Sequence, residues 1–174
     1  MTEGTRTVLI GSHSIIHSIL VLRAWKLIYG TYPKLWQLVC IFIHDIGYWG
    51  TNYHTNKSNK GHAELGARIA RRLFGEKGFN LVAGHSRSTA TKFNIPLSDL
   101  EAPDDYFWII APTWWLRSLK YVDHASLDGI VWRDLVTKNW EENGMFNRGP
   151  AYDLYLNNIQ LFDNKSVRYD DVDN

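Results

Sequence analysis

The stretch that decides the fold is LWQLVCIFIHDIG, residues 35–47. It is apolar apart from Gln37 until it reaches an adjacent histidine–aspartate pair, His44 and Asp45. A helix over about residues 34–45 that is apolar nearly all round belongs in the centre of a protein. Two polar side chains at its end are costly to bury unless they are paired or bound to a cation. The pair is therefore a candidate metal site. The simpler alternative is a helix C-terminus, where His44 interacts with the dipole and Asp45 caps the next loop.

More side chains of the same ligand types occur along the chain. They are His17 (or His13), His62, His85 and Asp123. Together with His44 and Asp45 they are more than one ion needs, which predicts a two-metal centre. Imidazole and carboxylate donors suit Fe, Mn, Ni or Zn, so we expect two divalent transition metal ions as cofactors. Paired ions can clamp a substrate oxygen and activate a water between them.

The first candidate ligand has two versions. His13 and His17 lie four residues apart and so face the same side of a helix. The apolar pattern that follows favours His17 as the ligand. His13 would then contact a metal ligand without binding the metal itself, face the substrate or lie at the protein surface.

The other ligands are each predicted from their helical context. His62 opens a helix whose next residues, Ala63, Gly66 and Ala67, are small enough to allow a close approach to another backbone. His85 follows an apolar segment, and Asp123 lies in the middle of a mostly apolar helix, where a carboxylate needs a partner. Asp45 can bridge both ions through its two oxygens, with His62 and His85 on the second ion.

The remaining helices are predicted from apolar spacing and from glycines that end them. One runs from Ser12 or Ser14 to about Tyr29, where Gly30 would end it. Further helices are predicted over 62–74, 79–85, 113–127, 129–140 and 152–162. We expect an all-α, single-domain helical protein over residues 1–162, with an acidic, disordered tail over 163–174.

Residues 88–112 do not fit this helical pattern. They contain Pro96, Pro103 and Pro112, and proline interrupts helices. The sequence predicts an irregular insertion here, covering the site as a lid.

Composition limits the partners. The chain has 174 residues, 45% of them hydrophobic and 21% charged, with a net charge of +1. This balance gives no overall attraction to nucleic acid or to a membrane surface. With one cysteine, Cys40 in an apolar run, and neither a signal peptide nor a membrane span expected, the sequence predicts a cytoplasmic protein. We expect a small phosphorylated molecule as partner and leave a homo-oligomer open.

Cationic side chains near the candidate ligands could hold an anionic substrate. Arg87 follows His85 by two residues, and Lys60 precedes His62 by two. Arginine suits bidentate recognition of phosphate, whereas lysine acts as a point charge. Asp45, His62, Arg87 and Lys60 are thus the residues predicted to act in catalysis.

The order of these motifs resembles the HD-domain superfamily of metal-dependent phosphohydrolases. The resemblance covers roughly residues 12–128 and is carried by His17-Ser18, Ile43-His44-Asp45-Ile46-Gly47, His62 with Glu64-Leu65-Gly66-Ala67, Gly84-His85-Ser86 and Tyr121-Val122-Asp123. It implies a helical bundle with a six-ligand, dinuclear site made of His17, His44, Asp45, His62, His85 and Asp123. The Tyr48-Trp49-Gly50 stretch replaces the usual basic residue, and the Gly-Tyr-Pro signature of the cyclic-dinucleotide branch is absent.

The resemblance implies hydrolysis of a phosphoester or phosphoanhydride bond in a nucleotide or another small phosphorylated metabolite. A metal-activated, bridging water would attack phosphorus. The alternative is a di-iron oxygenase, because one branch of the superfamily uses the same ligands on a hydroxylated or phosphonate substrate. A third hypothesis is a catalytically silent binding module, which would have no physical need for six convergent ligands.

Overall fold

The described part of the chain consists of helices and the turns that connect them. The computed structural model describes residues 1–51, 61–122 and 129–142, and no strand occurs in those ranges. The helices there are α1 (Glu3–Ile10), α2 (Ile15–Tyr29), α3 (Leu35–Ile43), α4 (His62–Phe74), α5 (Glu76–Ala83), α6 (Arg87–Phe93), α7 (Glu101–Ile110), α8 (Thr113–Val122) and α9 (Gly129–Glu142), with a 3-10 turn (Ile46–Tyr48) after α3. The predicted all-α class is confirmed.

Glycines end two of the helices that contribute to the site. Gly30 follows α2 with φ of 69°, and its amide donates to the Lys26 carbonyl. Gly75 follows α4 with φ of 68°, and its amide donates to the Arg71 carbonyl. Both φ values lie in the region that glycine adopts without steric cost. The bounds predicted for α4 agree with the structure.

The core forms where α2, α3, α5, α7 and α8 meet. Its largest fully buried side chains include Ile41 of α3, Leu100 before α7, and Trp115 and Leu116 of α8. The apolar stretch of α3 contributes Cys40, which is fully buried, and burial raises the pKa of this thiol to about 11. A thiol with a pKa this high stays protonated and unreactive at neutral pH.

Two glycines bring the end of α3 into contact with α4. A Cβ on Gly66 would lie 2.4 Å from the Ile43 carbonyl oxygen and 2.8 Å from that of His44. A Cβ on Gly47 would lie 1.7 Å from the His62 carbonyl oxygen. Only glycine allows backbones to approach this closely, so these contacts set the distance between the His44-Asp45 pair and His62. The close approach predicted for α4 is confirmed.

The predicted irregular insertion over residues 88–112 is wrong. This segment holds α6 and α7, and α7 packs along α2. Its prolines are compatible with helices because Pro96 lies between the two, Pro112 precedes α8, and Pro103 is in the first turn of α7. A first-turn amide has no intrahelical acceptor, so proline costs little there.

The sequence analysis also did not predict the first helix, α1.

Several predictions lie outside the described residues. They concern Lys60, Asp123, the end of the predicted helix over 113–127, the predicted helix over 152–162 and the predicted tail over 163–174.

Within the described residues, no single helix has the length and apolar character to cross a membrane. Taken together, α1 and α2 meet that criterion by length and composition alone, as a pair bent by 53°.

Candidate metal centre

Six side chains from five parts of the fold converge on one point. His17 comes from the first turn of α2, His44 and Asp45 from the end of α3, His62 from the start of α4, His85 from the turn after α5, and Asp104 from α7. The side chains of His17, His44 and His85 are 1% exposed and that of Asp45 is 6% exposed. Those of His62 and Asp104 are 17% and 23% exposed, so the centre opens to solvent on their side.

The donor atoms form two groups that share one carboxylate. His17, His44, Asp45 and Asp104 offer atoms that all lie within 4.8 Å of one another, and so do Asp45, His62 and His85. Asp45 Oδ2 lies 3.2 Å from His17 Nε2 and 3.1 Å from His44 Nε2. Its other oxygen, Oδ1, lies 3.6 Å from the Nε2 atoms of both His62 and His85. The two oxygens of Asp45 therefore face different pairs of histidines.

Backbone hydrogen bonds determine which ring nitrogen faces the centre. His44 Nδ1 lies 2.6 Å from the Ile41 carbonyl oxygen, and His85 Nδ1 lies 2.6 Å from that of Val82. A carbonyl oxygen only accepts, so both Nδ1 atoms donate. In a neutral ring the lone pair is then on Nε2, the arrangement that holds a metal-ligating histidine in position.

The spacing of the Nε2 atoms fits a shared cation. The Nε2 atoms of His17 and His44 are 3.0 Å apart, and those of His62 and His85 are 3.2 Å apart. Two nitrogens bound to one ion at about 2.0–2.1 Å are roughly 2.8–3.4 Å apart for angles between octahedral and tetrahedral. Both distances fall in this range, and the buried His/Asp cluster could hold metal ions.

The carboxylates and histidines shift each other's pKa values strongly in the metal-free protein. Burial alone would lower the pKa of His17 and His44, but Asp45 and Asp104 raise both above their usual value. Burial alone would raise the pKa of Asp45, but His44 and His13 hold it well below its usual range. The pKa of Asp104 is lowered in the same way, mainly by His44. The lowered pKa values of Asp45 and Asp104 keep both carboxylates ionised, and the raised pKa values of His17 and His44 mean that a bound cation would have to displace their protons.

Among the residues that the structure describes, Asp104 is a member of the donor groups that the sequence reasoning missed. Its Oδ1 lies 3.1 Å from His17 Nε2 and 3.2 Å from His44 Nε2. It can therefore fill the role predicted for Asp123, the carboxylate that completes the ligand set; Asp123 lies outside the described residues. One signal was present in the sequence: Asp104 stands three residues before Phe107, which is buried, so both share the inner face of α7.

His13 lies behind the shared carboxylate. Its Nδ1 is 2.7 Å from Asp45 Oδ2, and because an ionised carboxylate only accepts, His13 donates this hydrogen bond. His17 is a member of the first donor group, whereas His13 contacts this group through Asp45.

Arg87 donates hydrogen bonds to a carboxylate of α7. Its Nε and one terminal nitrogen each lie 3.3 Å from Glu101 Oε1. Glu101 is buried, and burial together with the nearby Asp105 raises its pKa well above the usual value. Burial also raises the pKa of Asp105 to about 6, although Arg87 acts in the opposite direction. The phosphate contact predicted for Arg87 thus competes with its hydrogen bonds to the buried Glu101. The contact predicted for Lys60 lies outside the described residues.

Comparison with known proteins adds no relative. No protein-family model, no curated protein and no solved structure matches this chain. The resemblance drawn from the motifs therefore stays a prediction, and function is inferred from the donor atoms and their surroundings.

Proposed function

We propose that this chain is a dinuclear, metal-dependent phosphohydrolase of the HD-domain type. It would cleave a phosphoester or phosphoanhydride bond in a nucleotide or another small phosphorylated metabolite. The observation that carries the proposal is the pair of donor groups joined through the two oxygens of Asp45. One buried carboxylate facing two histidine pairs in this way is the arrangement of a bridging ligand.

The donor set supports transition metals. Four imidazoles and two carboxylates suit Fe, Mn, Ni or Zn better than Mg or Ca, which prefer oxygen ligands alone. His17, His44, Asp45 and Asp104 would hold the first ion, and Asp45, His62 and His85 the second. Bound there, such ions supply Lewis acidity and lower the pKa of a water at the site.

The chain itself decides how a substrate approaches. The buried side chains close the centre on the side of α2 and α3, whereas His62 and Asp104 keep a partly exposed edge. A substrate oxygen would then reach the donor atoms past the side chains of His62 and Asp104. The helices exclude bulk water on the other sides, which strengthens electrostatic interactions inside.

The net charge that the centre would have with two divalent ions bound favours an anionic substrate. Asp45 and Asp104 carry two negative charges, and the histidines become neutral when they act as ligands. Two divalent ions would bring the centre to a net charge of about +2, which attracts phosphate groups.

The test combines metal analysis with a substrate screen. The purified protein is expected to contain two transition metal ions per chain and to release phosphate from nucleotides or small phosphoesters, with and without oxygen. Asp45→Ala should lose both properties while the helical circular dichroism persists. Asp134→Asn, at an exposed aspartate of α9, is the matched control and should keep both.

Three results would count against the proposal. Fewer than two ions per chain at saturating metal removes its basis. An active Asp45→Ala variant would mean that the chemistry occurs elsewhere. Substrate turnover that consumes oxygen and stops without it would favour the di-iron oxygenase.

A further inference from the structure

A tyrosine ring lies between two histidines of the centre. Tyr48 stacks on His13 with ring centroids 4.1 Å apart and an interplanar angle of 18°. On its other face it stacks on His62 at 4.7 Å and 9°. Tyr48 is only 6% exposed. Because both faces of the ring are covered, it does not offer a stacking surface to a substrate base.

The two histidines of this stack act on different parts of the centre. His13 donates to Asp45 Oδ2, the oxygen that faces His17 and His44. His62 belongs to the second donor group, where its Nε2 lies 3.2 Å from that of His85. The Tyr48 ring therefore contacts His62, a ligand of the proposed second metal position, and His13, which donates a hydrogen bond to Asp45.

The backbone around Tyr48 is firmly held. The Tyr48 amide donates a hydrogen bond of 3.1 Å to the Asp45 carbonyl. The Tyr48 carbonyl accepts two hydrogen bonds from Thr51, one of 3.1 Å from its amide and one of 2.7 Å from its hydroxyl. α1 packs against the segment that follows the 3-10 turn, because the Gly4 amide donates a hydrogen bond of 2.9 Å to the Thr51 carbonyl. A Cβ on Gly4 would lie 2.0 Å from the Tyr48 carbonyl oxygen, so only glycine permits the contact.

The two histidines of the proposed second metal position each have a neighbour that restricts the ring. His85 is aligned by the Val82 carbonyl, a hydrogen bond within its own helical turn. His62 opens α4, lies at the more exposed edge of the centre and rests flat on Tyr48. A parallel aromatic contact restricts rotation of the imidazole, as a hydrogen bond to a ligating histidine does elsewhere.

From these contacts we infer that Tyr48 is a positioning residue for the second metal position, acting through His62. The inference rests on the proposed dinuclear centre. Loss of the ring should weaken the second ion by about 10–100-fold, the usual effect of removing a residue that orients a ligand, and leave the first ion nearly unchanged.

The experiment is a Mn²⁺ titration of Tyr48→Leu, Tyr48→Phe and wild type, followed by calorimetry and electron paramagnetic resonance. Wild type should bind two ions and show the spectrum of two coupled Mn²⁺ ions. Tyr48→Leu should bind one ion tightly and show isolated Mn²⁺, whereas Tyr48→Phe, which keeps the ring, should behave as wild type. Tyr32→Leu, at a tyrosine 69% exposed between α2 and α3, is the matched control. Should Tyr48→Leu fail to fold, Tyr48→Met fills the space with a flexible apolar chain.

The outcomes separate this inference from the proposed function. A wild type that binds fewer than two ions overturns both. Two ions in wild type together with unchanged affinities in Tyr48→Leu overturn the role of Tyr48 alone. Equal weakening of both positions in Tyr48→Leu would mean a general structural role and would also overturn it.

Discussion

The replacement Asp104→Asn tests the contribution of α7 most directly. This change keeps the shape of the side chain and removes its charge. Asp104 Oδ1 lies 3.1 and 3.2 Å from the Nε2 atoms of His17 and His44, so it is one of four protein donors around the proposed first metal position.

The size of the effect follows from that geometry. Removing a residue that only orients a ligand weakens metal binding by about 10–100-fold. A direct donor should cost at least the upper end of that range. A 100-fold loss corresponds to about 2.7 kcal/mol at roughly 1.36 kcal/mol per factor of ten. We therefore expect Asp104→Asn to weaken the first ion by at least about 100-fold.

The assay is competition of the purified protein with a chromophoric chelator for Zn²⁺ or Mn²⁺, with circular dichroism as the check on folding. Asp105→Asn is the matched control, because Asp105 is the next residue of α7 but belongs to neither donor group; its effect should stay below about tenfold. Asp123→Asn is measured beside them. A strong loss in Asp123→Asn with none in Asp104→Asn would refute the assignment.

Three further predictions concern packing, protonation and the ion pair beside the centre. Gly66→Ala places a Cβ 2.4 Å from a carbonyl of α3 and should cost about 1–3 kcal/mol in urea unfolding and weaken the second ion. Gly30→Ala is its control, with open space around it but a φ of 69°; it should lower stability and leave metal binding unchanged, and equal metal losses would contradict the packing argument. The raised pKa of His44 means that metal must displace a proton, so apparent metal affinity should rise with pH until that pKa is passed, and a flat profile from about pH 6 to about pH 9 would be inconsistent. The raised pKa of His44 also increases the free energy of unfolding measured without added metal. This contribution is complete below the usual histidine pKa of 6.5 and is lost as the pH rises through the raised pKa of His44. Arg87→Met should lower the free energy of unfolding by about 1–3 kcal/mol, and adding Glu101→Gln should recover most of it; a double variant no more stable than the single one would argue against the pair.

Much of the fold could be predicted because its signals are local. The apolar run of α3, the glycine that ends α2 and the small residues of α4 act within one or two helical turns. Prediction failed over 88–112 because a proline was interpreted without its position in a helix. Pro103 lies in the first turn of α7, with Glu101 and Asp104 beside it, and acidic residues favour that end of a helix.

The amino-acid sequence by itself determined that a buried histidine–aspartate pair ends a central helix and that further histidines on other helices are available to meet it. Only the tertiary structure decided that Asp104 joins this group, that Arg87 pairs with Glu101 and that Tyr48 lies between two imidazoles. Helix ends depend on neighbouring residues, which a sequence shows directly. Contacts between His44 and Asp104, sixty residues apart, depend on how α2, α3 and α7 pack, and that packing is set by the whole core at once.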